Sequence, residues 1–224
     1  MLHCTYIRIG LALIITAFFF SVKGQNSAET DSLFQLLSKS AEDTNKVRIL
    51  HQLVKAHEYT DFEKAIELAN QQYELSKKLD YQWGIGKAEL NLGFQDMVQG
   101  NYDEALAHYL NSSAAAEICQ DPILLVDAAS STGQAYMRKN RPSEAIKYYH
   151  QSLKLSEQFE DTWGIATAYS DLAILHQEYK DNTRALEYNL KALETFRSIN
   201  EKDRIALQLV NIGIIFQETE EYDK

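Results

Sequence analysis

A small residue returns every 40 positions along this chain, at Gly93, Gly133, Ala173 and Gly213. An alanine follows the first three by twelve positions, at Ala105, Ala145 and Ala185, and Ala65 stands one period earlier. Self-similarity at a fixed period of this length marks a stacked-repeat protein. Each unit of such a protein buries its apolar face on its neighbours, so stability is roughly a sum over repeats and interfaces. A globule built around one central core is thereby excluded.

The units align without gaps. Gly100-Asn101-Tyr102-Asp103-Glu104-Ala105 in one corresponds to Asn140-Arg141-Pro142-Ser143-Glu144-Ala145 and to Lys180-Asp181-Asn182-Thr183-Arg184-Ala185 in the next two. A weaker copy runs from Tyr59 to Ala65. Each unit reads as a helix, a short polar turn and a second helix. Asp61, Asn101 and Asp181 are placed to cap the second helices by accepting from free backbone N–H groups. Pro142 suits a first helical turn, and Asp121-Pro122 gives the same signal for a first helix. The chain has no other proline, as nearly continuous helix requires.

The small residues answer a steric demand. Where two antiparallel helices cross, a side chain limits how closely the axes approach. Glycine inside a helix costs up to about 1 kcal/mol relative to alanine, so its recurrence implies a packing reason. A longer period also shows. Trp83-Gly84-Ile85 recurs as Trp163-Gly164-Ile165, with Ile123 at the intervening tryptophan position. A tryptophan near a helix start is expected to wedge between adjacent units.

On these residues the chain resembles the tetratricopeptide repeat family. Its small-residue positions match Gly93, Gly133 and Gly213, its aromatic positions Tyr136 and Phe216, and its alanines Ala65, Ala105, Ala145 and Ala185. Tyr109 and Tyr149 match the aromatic position of the second helix. The family's usual period is about 34 residues, and its closing proline is replaced here by Lys77, Glu117, Glu157 and Arg197. Both departures fit a longer-helix variant. The resemblance implies an all-α, right-handed superhelical solenoid of antiparallel helix pairs over residues 45–224. The units fall near 46–85, 86–125, 126–165 and 166–205, with a partial one at 206–224.

Residues 1–24 read as a secretory signal peptide. Arg8 lies in a short polar head, Ile9 to Phe20 is an apolar run, and Val22-Lys23-Gly24 precedes a cut after Gly24. The run is too short for a comfortable membrane span. The mature chain is therefore expected to be exported to the periplasm or cell envelope, with no membrane span of its own. An uncleaved anchor is the alternative. Residues 25–44 read as a linker and a capping helix, Asp31 to Lys39, with Leu33, Phe34, Leu36 and Leu37 on its apolar face. Cleavage leaves Cys119 as a lone thiol, which excludes an internal disulfide or a two-cysteine metal site. The net formal charge of −10 repels phosphate backbones, so nucleic acid is not an expected partner.

No catalytic constellation stands out, and the chain is read as a non-enzyme without cofactor or metal. Gly84-Ile85-Gly86-Lys87 lacks the later glycine of a dinucleotide fingerprint and the Lys-Ser/Thr ending of a P-loop. His51, His57, His108, His150 and His176 form no metal spacing and read as ordinary helix residues. The resemblance places binding on the concave surface lined by first helices. Transferred to this chain, the family's groove positions are Lys87, Leu90, Asn91, Phe94, Met97 and Val98 in one unit. Asp127, Ser130, Ser131, Gln134, Met137 and Arg138 follow in the next. Ser170, Asp171, Ile174, Gln177 and Glu178 complete the third. Asn91 and Asn211 stand where the family often places an asparagine that bonds a peptide backbone. Leu50, Val54, Asp127 and Ser131 replace the family's clamp for a peptide C-terminal carboxylate, and Phe94, Met97 and Met137 offer an adaptable apolar floor instead.

The segment from Asp203 to Thr219 is apolar almost all round, which a terminal cap should not be. That face calls for a further repeat or for self-association between subunits. The functional expectation is a protein- or peptide-binding scaffold in the cell envelope. The alternative follows from a second resemblance: an exported leader followed by long-period repeats is similar to the front of bacterial sensor histidine kinases. On that reading the sequence is the extracytoplasmic input region of a larger signalling protein.

Overall fold

The computed structural model describes residues 29–219. Residues 1–28, the leader among them, and Glu220 to Lys224 lie outside the described residues. Those described form ten helices and no strand, and none of the helices is long and apolar enough to cross a membrane. Two compact units share the chain, residues 1–79 and 80–224.

The first unit holds α1 (residues 29–39), α2 (Thr44–His57) and α3 (Phe62–Lys78). Asp43 caps α2, its Oδ1 accepting from the Asn45 and Lys46 amides at 2.9 and 3.0 Å. Asp61 caps α3 through the Lys64 amide at 3.0 Å. α2 packs on α3, burying Val47, Leu50, Leu53 and Val54 against Ala65, Leu68 and Ala69. Leu50 and Val54 thus serve as core. From α1, Phe34 sets its ring edge-on to His57 at 5.7 Å.

The second unit runs α4 (Gln82–Gln99), α5 (Tyr102–Cys119), α6 (Pro122–Arg138), α7 (Pro142–Gln158), α8 (Thr162–Glu178), α9 (Asn182–Ser198) and α10 (Lys202–Glu218). The sequence frames starting at 86, 126, 166 and 206 each open inside a first helix. Six of these helices, α4 to α9, end just before a residue in the left-handed region, at Gly100, Gln120, Asn140, Glu160, Lys180 and Asn200. The amide of the following residue then reaches back to a carbonyl in the last turn, as Asn101 does to Asp96 at 2.9 Å and Asp161 does to Ser156 at 2.8 Å. The backbone therefore repeats every 20 residues, twice as often as the side chains.

Close helix crossing explains the small residues within the stack, whereas a Cβ at Gly213 on α10 would meet nothing within 4 Å, so the steric expectation does not hold there. A Cβ at Gly93 would lie 2.5 Å from Cε1 of Tyr109, and one at Gly86 would lie 2.5 Å from Cδ2 of Leu124. The Gly84-to-Lys87 segment is thus helix, with Gly86 needed for close packing. Ala105, Ala145 and Ala185 are fully buried. Asp121 caps α6 through the Leu124 amide at 2.9 Å with Pro122 in the first turn, and Asp181 caps α9 through Arg184 at 3.2 Å. Asn101 departs from expectation. Its side chain makes no cap bond; its amide nitrogen donates back to Asp96 and Gln99, at 3.3 Å each.

Trp163 is half-exposed rather than enclosed. Its ring meets Phe196 of α9 edge-on at 5.6 Å, and the Arg204 guanidinium of α10 lies 5.5 Å from its centroid. The ring therefore joins one pair to the next, in part by cation–π attraction. Cys119 is half-buried near the end of α5.

Candidate functional site

First helices of successive pairs touch: α4 meets α6, and α6 meets α8. Polar side chains tie them together at intervals of about one repeat. Lys87 Nζ pairs with Asp127 Oδ2 at 2.9 Å, the Ser130 hydroxyl donates to Asp171 Oδ2 at 2.6 Å, and the Gln208 amide donates to Ser170 at 2.9 Å. Contact along this layer turns it inward, the geometry of a concave groove.

Within the groove lies a cavity of about 470 Å³. α4 supplies Phe94, Met97 and Val98; α6 supplies Gln134, Met137 and Arg138; α8 supplies Asp171, Ile174 and Glu178. These positions, spaced three or four apart on each helix, share one helical face. Tyr102 and Tyr109 from α5 and Tyr149 from α7 complete the lining. By sequence, Tyr109 and Tyr149 are marked only as the aromatic position of the second helix. Their size opposite Gly93 and Gly133 was the available signal, since a ring that crosses under a glycine can reach the far side of its helix.

The remaining transferred positions do not line this cavity. Lys87 and Asp127 are engaged with each other. Leu90 packs on the cluster of Ala105, Leu106, Tyr109 and Ala135. Asn91 is buried on α4, and Asn211 is half-buried on α10.

Electrostatically the cavity is organised around Asp171. Its side chain is buried, 8% exposed, and its donors are neutral: the Ser130 hydroxyl and, at 3.5 Å, the Gln134 amide. Burial pushes its carboxyl up to about 6, against the pull of those two donors and of the more distant Arg204. Tyr149 donates toward Met137 Sδ at 3.8 Å, and burial drives the phenols of Tyr109 and Tyr149 well above their ordinary range. Tyr109 and Tyr149 are therefore neutral, and the Asp171 carboxylate stands against an apolar floor.

A second polar cluster was not legible in the spacing. His108 of α5 stands between two carboxylates of α4, with Nδ1 2.5 Å from Glu89 Oε2 and Nε2 3.4 Å from Asp96 Oδ2. Asn111 adds a donor to Glu89 at 3.3 Å. The hydrogen bond to Glu89 raises the His108 pKa despite partial burial. His108 is therefore a structural link between α4 and α5 rather than an ordinary helix residue. His176 instead has its pKa lowered by burial, against the pull of Asp181, and stacks on Tyr188 at 5.6 Å. Among the described residues no cluster of histidine, cysteine and carboxylates could hold a metal ion.

Comparison with known proteins agrees with the architecture. Residues 126–198 match the family model of the tetratricopeptide repeat. No curated protein matches the sequence significantly. Among solved structures, BtubC (BKLC) from P. vanneervenii superposes with a TM-score of 0.68 at 15% identity, over 89% of this chain and 83% of that one. Aspartyl phosphate phosphatase F from Bacillus subtilis gives a TM-score of 0.74 at 15% identity, over 88% of this chain and 55% of that one. A Rap protein complexed with competence and sporulation factor gives 0.61 at 16% identity, over 88% and 61%. At such identities the likeness is one of fold. The chain spans little more than half the length of the last two.

Proposed function

We propose that this tetratricopeptide-type helical repeat scaffold is a non-enzymatic envelope protein whose groove holds an extended peptide or protein segment. The observation that carries the reading is the cavity itself. Three successive first helices present Phe94, Met97, Met137 and Ile174 as an apolar floor and Gln134, Arg138 and Glu178 as polar groups around it. Apolar area supplies affinity, and a few fixed polar groups supply orientation. Methionines re-pack around differing side chains. That one of the structural neighbours was solved with a bound factor supports a binding role for this architecture. The signal-peptide pattern of residues 1–24 supports export.

A photo-crosslinking residue at Val98 or Ile174 in the full chain tests the groove, with Leu190 on α9 as an outer-surface comparison. Discrete adducts from the first two sites and not the third are expected. Equal labelling at all three, or none, counts against the groove.

A second reading is the extracytoplasmic input region of a larger membrane signalling protein. It is favoured by α10, where Leu207, Leu209, Val210 and Ile214 are all exposed and present an apolar face suited to a further element. An immunoblot of cell fractions separates the two. A membrane-held band much larger than this chain supports the input region, and a soluble band of its own size supports the free scaffold.

A further inference from the structure

Of the three charged groups lining the cavity, Arg138, Asp171 and Glu178, only Asp171 is buried. Asp171 places a carboxylate among Phe94, Met97, Met137 and Tyr149, and its two hydrogen-bond donors are neutral. A desolvated carboxylate is costly unless a cation meets it, and the four lone-pair positions of its two oxygens are not exhausted by two donors. The aromatic faces beside it attract cations as well. Among the ionised groups of the lining, two carboxylates, Asp171 and Glu178, outweigh one guanidinium, Arg138, and the chain carries a net charge of −10.

The geometry points to a groove selective for an extended segment bearing a basic side chain, arginine ahead of lysine, whose cationic head meets Asp171. This rests on the groove reading above and names the chemistry of its occupant. Arginine is favoured because its planar guanidinium is weakly hydrated, stacks on rings and bonds a carboxylate in fixed geometry. The apolar stem of such a side chain suits the methionine and aromatic floor. A segment with an acidic side chain at the same point would set two carboxylates together in a dry site and is rejected.

Burial pushes the Asp171 carboxyl up to about 6, still below neutral pH, so it is mostly ionised there despite its desolvation. The charged and titratable groups around it are Arg138 on α6, Tyr149 on α7, Glu178 on its own helix and Arg204 on α10. The two tyrosines nearest the floor stay neutral, so the local charge at pH 7 is set by the carboxylates and arginines alone.

The test is an array of N-acetylated, C-amidated hexapeptides with one fixed central residue and mixed flanks, probed with the full chain at pH 7.5. Central arginine should retain at least about tenfold more protein than central citrulline, its neutral isostere, with lysine between. Asp171→Asn should bring the arginine signal down to the citrulline level while melting no lower than the parent. Equal retention on arginine and citrulline overturns the inference, as does an arginine preference that survives Asp171→Asn. Peptide retention that shows no basic preference and is lost in Phe94→Asp overturns this inference alone and leaves the groove standing. Retention of no peptide in any set overturns both. The arginine-to-citrulline comparison is made on the unaltered protein, so the inference stays testable whatever the folding of the variants.

Discussion

Gly133 lies against the ring of Tyr149, sixteen residues on, so closely that a Cβ there would stand 2.6 Å from both Cδ1 and Cε1. Gly93 and Tyr109 repeat the relationship one unit earlier. At the same register in the following unit the pair is Ala173 and Asn189, both fully buried. The larger ring goes with the residue that has no side chain, and the smaller amide goes with alanine.

Gly133→Ala should therefore destabilise the protein although alanine is the better helix former. Tyr149 is fully buried and cannot swing away, and overpacking of this kind costs about 1–3 kcal/mol against a propensity gain of about 1 kcal/mol. Thermal melts of Gly133→Ala, Tyr149→Asn and the double variant check it. The double variant should lose less than the two single losses added together. Strict additivity would show that the two residues do not constrain each other.

The left-handed turn residues give a prediction of opposite sign. Glu160 holds φ at 55° and Gly100, at the equivalent place, holds 83°. A non-glycine residue there costs about 1–2 kcal/mol, part of which glycine gives back in unfolded-chain entropy. Glu160→Gly should raise stability by about 0.5–1 kcal/mol, and Gly100→Ala should lower it by a similar amount. Nothing lies within 4 Å of a Cβ at Gly100, so the loss there measures backbone strain alone. Denaturant midpoints that fail to move in opposite directions contradict the account.

The His108 link sets a pH dependence. Its hydrogen bond to Glu89 raises the folded pKa above the unfolded value of about 6.5. The resulting stability is complete below that unfolded value and disappears as pH rises through the folded one. The melting temperature of the parent should exceed that of His108→Gln most at about pH 6 and least at about pH 9. A difference that is flat across this range, or that widens with pH, removes the ion-pair role of His108.

Asp171 is held at a cost, and the cost is also pH-dependent. Its folded pKa of about 6 lies above the ordinary carboxyl value of 3.8, so the penalty is full above the folded pKa and vanishes below the unfolded one. The difference corresponds to about 2–3 kcal/mol at neutral pH. Asp171→Asn should melt several degrees above the parent at pH 8, with the gap closing toward pH 4. A variant no more stable than the parent at pH 8 would show that its two donors already offset the burial. A carboxylate kept despite such a penalty is the expected trade between stability and a binding site.

How much of this could be read from the chain follows from which constraints act at fixed positions. Steric demands at helix crossings do: Gly93, Gly133 and the alanines at 65, 105, 145 and 185 mark the helix pairs, and the caps at Asp61 and Asp181 with the prolines at 122 and 142 mark helix starts. Another series, Ala88, Ala128 and Ala168, is equally buried but stands out less from the background of a helix-rich sequence. The groove face was legible in part, because residues three and four apart on one helix share a face whatever the neighbours do.

The sequence by itself determined the 40-residue unit, the antiparallel pairing of its helices and the residues where they cross. Only the tertiary structure decided that the backbone repeats every 20 residues, since both helices of a pair end in the same turn while carrying different side chains. It also decided which polar residues meet. Lys87 reaches Asp127 and not the cavity, His108 spans Glu89 and Asp96, and Tyr109 and Tyr149 pass beneath glycines to the groove. The physical reason is that periodicity encodes where backbones must approach, whereas side-chain partners depend on the rotation between successive helix pairs and on reach, and linear spacing carries neither.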